Sequence, residues 1–411
     1  HQTVRRLPRY TLAFCLALAL IQGIFAVLDW TRNVAKTDAA PAMPTIGELD
    51  RPTIREMISP EQLINATEKN FGITLPLGKC QFRTSLDPDL QKSLIDMMDR
   101  RYAQQIGMVV LDPDSGRILG MASHDRDDGG ADPCLSARFP AASLFKIITA
   151  AAAIETAGFH KDTKIAFNGG KYTLYKSQLK KTRNKYTTFV TLEKAFAESV
   201  NPVFGKIGQH YLGRSTLDQY GAGFGFNAPM DFDLPAEASV LQISEDCYNW
   251  AEIACGFNRT TLISPLHAAA IAGVIAGNGR LVPPRVIDSV YVGDRLVYQS
   301  GSGTFKRPLA PETARRMQLL MAATVRYGTA RKSFDGRAGR DLLDHLSIGG
   351  KTGSINNNPE HIKYDWFAGY AIDGATGKKI AAAVLVAHKK FIGTRAPEYF
   401  YRIVSAYFKE R

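Results

Sequence analysis

The stretch Ser143-Leu-Phe-Lys146 places a hydroxyl and an amine three residues apart, directly ahead of the apolar, Ala-rich run Ile147-Ile-Thr-Ala-Ala-Ala-Ala-Ile154. Pro140 just upstream is a residue common at helix starts. Spacing of three puts both functional groups on one face of the first turn. The unpaired N–H groups there favour negative charge developing on a serine oxygen. An amine one turn along can take the serine proton if burial lowers its pKa. The chemistry this points to is acyl transfer through a serine nucleophile, with lysine as base. Ser-x-x-Lys alone also describes many solvated helix faces, so the reading depends on what accompanies it.

Two further motifs follow in order, Ser199-Val-Asn201 and Lys351-Thr-Gly353. Ser199 opens a sharp turn between two helical stretches, where its hydroxyl can face a cleft and pass a proton. Asn201 brings an amide that can hold a substrate carbonyl and Lys146 together. Lys351 supplies a fixed cation for a substrate carboxylate and tunes the Ser199 hydroxyl, and Thr352 can hydrogen-bond the same carboxylate. Gly353 lets an extended substrate lie against an edge strand. The N–H groups of Ser143 and Ser354 would form the oxyanion hole, where each donor is worth about 3–4 kcal/mol. Gly350-Lys-Thr352 is not a phosphate-binding loop, because the glycine required five positions earlier is His345.

These parts need elements to hold them. Residues 81–86 have a strand pattern, and Asp87-Pro-Asp opens a capped helix over 88–98. Residues 107–111 and 117–122 flank Asp112-Pro-Asp-Ser-Gly116, which is a hairpin signal. Helical patterns dominate the middle, most clearly over 192–199, 202–212 and 265–277. Strand patterns return over 346–354, 365–372 and 379–387, and 396–410 closes the chain as a helix. The expected fold is α+β: a five-stranded, mainly antiparallel sheet flanked by helices, with a helical lobe and a cleft between the two.

The chain has 411 residues, 45% hydrophobic and 22% charged, with a formal net charge of +12. A basic surface suits anionic partners, but no nucleic-acid-binding signature accompanies the charge. Residues 11–28 are uncharged and follow Arg5, Arg6 and Arg9, with Trp30 as an interfacial anchor. This predicts a single-pass anchor over 11–30 with residues 1–10 cytoplasmic, in competition with a cleaved signal peptide. Residues 31–78 are expected to be a tether or reduced pedestal, and 79–411 the catalytic domain. Cys15 lies inside the apolar segment, while Cys80, Cys134, Cys247 and Cys255 could pair in an oxidising space in three ways. Cys247 and Cys255 are the nearest two in sequence. No metal-ligand spacing is present, and no cofactor is expected.

Together the three motifs resemble the transpeptidase domain of the penicillin-binding proteins, serine enzymes that cross-link bacterial cell-wall peptides and are acylated by β-lactams. The resemblance runs from about Cys80 to the C-terminus. It includes Thr84-Ser-Leu-Asp-Pro-Asp-Leu-Gln91, Val109-Val-Leu-Asp-Pro-Asp-Ser-Gly116, Ile263-Ser-Pro-Leu-His267 and Asp365-Trp-Phe-Ala-Gly-Tyr370. It implies Ser143 as the acylated nucleophile and Lys146 as its base. Ser199 and Asn201 would serve proton relay and amide binding, and Lys351 and Thr352 carboxylate binding. Ser354 stands where the family usually has Thr, which keeps both hydroxyl and N–H.

The implied partners are peptidoglycan stem peptides, β-lactams, the inner membrane and a membrane glycosyltransferase, with the catalytic domain outside the cytoplasm. A D,D-carboxypeptidase or a serine β-lactamase would share the motifs, and Glu245-Asp-Cys-Tyr-Asn249 matches one lactamase string. A non-catalytic partner of the glycosyltransferase is a further alternative. One basic run is left over: Lys171, Lys176, Lys180, Lys181, Arg183 and Lys185, interleaved with Tyr172, Tyr175 and Tyr186. It reads either as a solvated loop or as a surface for acidic glycan, lipid headgroups or a protein.

Overall fold

The computed structural model describes residues 49–75, 78–127, 130–301, 304–357 and 361–409. Its centre is a five-stranded sheet in the order Leu346–Asn357, Ile362–Asp373, Lys379–His388, Ala103–Leu111, Ile118–Asp125. Every neighbouring pair is antiparallel. This is the sheet expected from one early hairpin and three late strands.

The strand Lys379–His388 is buried along almost its whole length, so its sequence is a continuous apolar run. Alternate side chains enter two cores. Ala381, Ala383 and Leu385 join the larger one, and Ala382, Val384 and Val386 join the smaller one with Tyr399, Phe400 and Ile403. The helix Ala396–Phe408 covers the second face. The helix Pro265–Ala276 covers the first and is buried on all sides, as its run of Ala, Ile, Leu and Val requires. Ser264 caps it by accepting a hydrogen bond from the His267 N–H.

A second sheet joins segments far apart in the chain, in the order Asn70–Leu75, Gly78–Thr84, Ile287–Val292, Arg295–Gln299. Residues 49–75, within the span expected as a tether or reduced pedestal, are folded in this part of the molecule. They form the helix Arg51–Met57, a short 3₁₀ turn and the first strand of this sheet. Arg51 also pairs with the buried carboxylate of Asp233, at 3.0 Å.

The predicted anchor over 11–30 lies outside the described residues. Among the described residues, no helix is long and apolar enough to cross a membrane. Cys80, Cys134, Cys247 and Cys255 are all free thiols, so the nearest-pair expectation is corrected. Cys247 and Cys255 end one helix. At ~1.5 Å rise per residue they are about 12 Å apart, beyond the ~7 Å that a disulfide spans.

Candidate active site

Ser143 sits in a 3₁₀ turn, Ala142–Phe145, which runs without a break into the helix Lys146–Thr156. The turn is held from three sides. The indole N–H of Trp366 donates to the carbonyl of Pro140 at 2.9 Å, tying the sheet to the turn. Gly353 lies against it from the edge strand: a Cβ there would meet the Ala142 Cβ at 3.4 Å and the Trp366 Cβ at 3.2 Å. Gly256 lies against it from the helical lobe with φ +71°, and a Cβ there would fall 1.8 Å from the Ala142 carbonyl oxygen. Only glycine fits that approach.

Lys146 is fully buried. Its Nζ lies 2.7 Å from each of three oxygens: Ser143 Oγ, Asn201 Oδ1 and the carbonyl of Cys255. Burial lowers its pKa from the ordinary 10.5 to about 8. A neutral amine has two N–H bonds and one lone pair. The Asn201 and Cys255 oxygens can only accept, so they take the two N–H bonds. The lone pair is left facing the serine hydroxyl, which is the geometry of a general base.

Ser199 is held by the end of the helix Leu192–Ala197. The Val200 N–H donates to the Ala195 carbonyl and the Ser199 N–H to the Phe196 carbonyl, closing a Schellman motif. Ser199 takes the left-handed residue of that motif, with φ 58°, a position that ordinarily favours glycine. The backbone thus aims a hydroxyl into the cleft at a conformational cost of about 1 kcal/mol or more. Lys351 Nζ lies 3.0 Å from that hydroxyl and 2.9 Å from the Thr352 carbonyl. Lys351 is also fully buried, and burial first and the charge of Lys146 second push its pKa well below the ordinary lysine range.

Asn201 joins the site to the loop before it. Its backbone N–H donates to the Lys171 carbonyl at 2.7 Å and its Nδ2 to the Tyr172 carbonyl at 3.0 Å. Thr352 and Thr329 share a 2.6 Å hydrogen bond between hydroxyls. Ser354 donates to Asp365, whose buried carboxylate is clamped by Arg395 at 2.7 Å and by the Ala396 N–H at 2.9 Å.

All eight residues singled out in the sequence thus gather on one cleft of about 660 Å³. Ser143, Ser199, Asn201, Thr352 and Ser354 line it, with Lys146, Lys351 and Gly353 immediately behind. Sequence reasoning did not find the Cys255 carbonyl, the Tyr327–Ser333 wall with Thr329, Arg331 and Lys332, or Phe257, and it placed Tyr172 in the basic run and not on the cleft. The Gly328-Thr329 turn after the helix Pro311–Arg326 was the one available signal. Glu245 and Asn249, the lactamase-like string, do not line the cleft. Glu245 pairs with Arg214, and Asn249 accepts from the Ser244 N–H.

The penicillin binding protein transpeptidase domain matches as a family over residues 106–405. Penicillin-binding protein PbpB of Mycolicibacterium smegmatis is 26% identical over 308 residues, covering 67% of this chain and 45% of that protein. The peptidoglycan D,D-transpeptidase PbpA of the same organism is 24% identical over 353 residues, covering 74% of this chain and 66% of that protein. The chain therefore spans between about half and two thirds of the length of these relatives. The D,D-transpeptidase domain of a peptidoglycan glycosyltransferase from Eggerthella lenta has a similar fold, with a TM-score of 0.66 at 21% identity over 82% of this chain and 84% of that one. So does PBPA of Mycobacterium tuberculosis, with a TM-score of 0.65 at 21% identity over 80% and 82% of the two chains.

Proposed function

The chain belongs to the penicillin-binding protein transpeptidase family, and from that premise we propose that it is a serine D,D-transpeptidase that cross-links peptidoglycan stem peptides and is inhibited by β-lactams. One observation carries the reading: the 2.7 Å contact from Lys146 Nζ to Ser143 Oγ, with the other two partners of that amine able only to accept.

In this reading Lys146 takes the Ser143 proton while Oγ attacks the carbonyl carbon between the two terminal D-alanines. The N–H groups of Ser143 and Ser354 would stabilise the oxyanion. The C–N bond then breaks, and the leaving D-alanine amine receives the proton through Ser199. Lys351 and Thr352 hold the terminal carboxylate, and Asn201 holds the donor peptide amide. An acceptor amine attacks the ester, gives a proton back through the same relay, and frees Ser143 as the new amide forms. No carboxylate lines the cleft among the described residues, which favours a long-lived acyl-enzyme over hydrolysis by a glutamate base.

For the whole protein we propose the organisation expected from sequence: residues 1–10 cytoplasmic, a single-pass anchor over 11–30 in the inner membrane, and the domain over 79–411 outside. A membrane glycosyltransferase is the partner such an enzyme would serve. Intact-protein mass spectrometry after exposure to a penicillin tests the reaction. One added acyl group on the peptide containing Ser143, absent in Ser143→Ala, is expected; an unlabelled wild-type protein would refute it.

A further inference from the structure

The basic run that the mechanism leaves unused occupies one compact excursion. The hairpin strands Lys164–Phe167 and Thr188–Thr191 close it at the base. Between them, residues 168–187 contain six cations, Lys171, Lys176, Lys180, Lys181, Arg183 and Lys185, and no Asp or Glu. The loop has a fixed shape. Leu174, Gln178 and Leu179 are buried beneath it. Asn168 accepts from Thr187 and donates to the Thr182 carbonyl, while Gln178 donates to the Asn168 and Gly170 carbonyls.

Lys171 is paired with Glu198, but the other five cations have no ion pair among the described residues. Large aromatic surfaces stand among them: Tyr172 is 62% exposed, Tyr175 61%, Tyr186 73% and Phe189 53%. Two of the rings already carry a cation, Arg183 over Phe189 at 5.3 Å and Lys185 over Tyr186 at 5.0 Å. Exposed rings offer flat faces to sugars and the cations offer partners to carboxylates. The loop also continues into the cleft. Tyr172 lines the cleft, and the Lys171 and Tyr172 carbonyls are fastened by Asn201, whose Oδ1 accepts from Lys146.

We propose that the loop over 168–187 binds a stretch of cell-wall glycan strand whose sugar carboxylates have been freed by removal of their peptide branches, on the same polymer whose remaining branches enter the cleft. This rests on the transpeptidase reading above, and it adds a glycan-holding surface to that site. Continuity with the cleft favours the substrate polymer over a membrane, because a strand lying on the loop would present its branch beside Ser143.

The test uses peptide-free glycan strands released from peptidoglycan by an amidase. Binding is followed by titration at rising salt, alongside acylation by a fluorescent penicillin. The wild-type protein is expected to bind the strands, and to lose affinity when their carboxylates are amidated or salt is raised. Lys180→Glu/Lys181→Glu/Arg183→Glu should weaken binding at least about tenfold, and Tyr186→Ala should weaken it by a smaller factor. The matched change Lys79→Glu/Arg83→Glu/Arg295→Glu, on the other sheet, should leave binding intact. Normal acylation in every variant would show that the cleft is folded and working. Equal glycan affinity in the loop triple variant, no binding by the wild type, or binding only to phosphatidylglycerol vesicles would each overturn the proposal while normal acylation left the transpeptidase reading standing. A wild type that is never acylated would overturn the transpeptidase reading first.

Discussion

The buried amine of Lys146 makes the pH dependence of acylation a direct test of its role. With a pKa of about 8 instead of 10.5, its neutral fraction is about 1% at pH 6, about 9% at pH 7 and about 90% at pH 9. An ordinary lysine would be about 0.03% neutral at pH 7, so burial raises the base population about 300-fold, equivalent to about 3 kcal/mol. The second-order rate constant for acylation by a fluorescent penicillin should therefore climb about tenfold per pH unit below 7 and level off above 8. Lys146→Arg removes the neutral form altogether, since a guanidinium does not deprotonate, and should lower that constant by a factor of about a hundred or more at every pH. The measurement is a time course of fluorescent adduct at several penicillin concentrations from pH 6 to pH 9. A flat wild-type profile, or an arginine variant within a few-fold of wild type, would refute the assignment of Lys146 as base.

Three further outcomes follow from the geometry. Gly256→Ala would drive a methyl into the Ala142 carbonyl at a backbone angle that alanine disfavours, so it should cost more than about 2 kcal/mol in a denaturant melt and slow acylation by displacing the Ser143 turn. His267 is buried, donates from Nε2 to the Phe224 carbonyl and accepts at Nδ1 from Ser239, and burial lowers its pKa to about 4. Its folded pKa lies below its unfolded value of 6.5, so the unfolded chain binds the proton more readily. Stability should fall by up to about 3 kcal/mol as pH drops from 6.5 to 4, and a melt of His267→Gln should lose part of that slope. Lys351→Met replaces a buried amine whose charged form is disfavoured first by burial and second by Lys146. It should raise the thermal midpoint while acylation is lost, and a lowered midpoint would count against the electrostatic account.

The strands of the central sheet were legible because their alternation or unbroken apolar runs meet covering helices of matching length. Lys379–His388 and Pro265–Ala276 are the clearest cases. The site residues were legible because serine, lysine and asparagine at short spacings make sense only if their segments converge, as they do. The four-stranded sheet was not, since Asn70–Leu75 and Ile287–Val292 belong to one sheet across two hundred residues and pairing at that range leaves no local mark. A better signal was the Gly293 turn, which has φ +59° between two β-rich stretches. The Cys255 carbonyl was beyond reach for a different reason: a backbone acceptor is present at every position, and only the tertiary fold decides which one meets an amine. The first turn of the catalytic helix also proved to be 3₁₀, with Ala142 at φ 48°, and Gly256 and Gly353 lack the Cβ atoms that would respectively collide with its carbonyl and touch its side chain.

Two lysine amines shut away from water around one hollow, where burial makes positive charge costly for both and Lys146 makes it costlier for Lys351, leave the resting enzyme uneasy with itself. The discomfort eases whenever an anion arrives, so folding and ligand capture draw on the same electrostatic imbalance. A molecule need not react with Ser143 to steady this protein; it need only bring a negative end to the place where Lys351 waits.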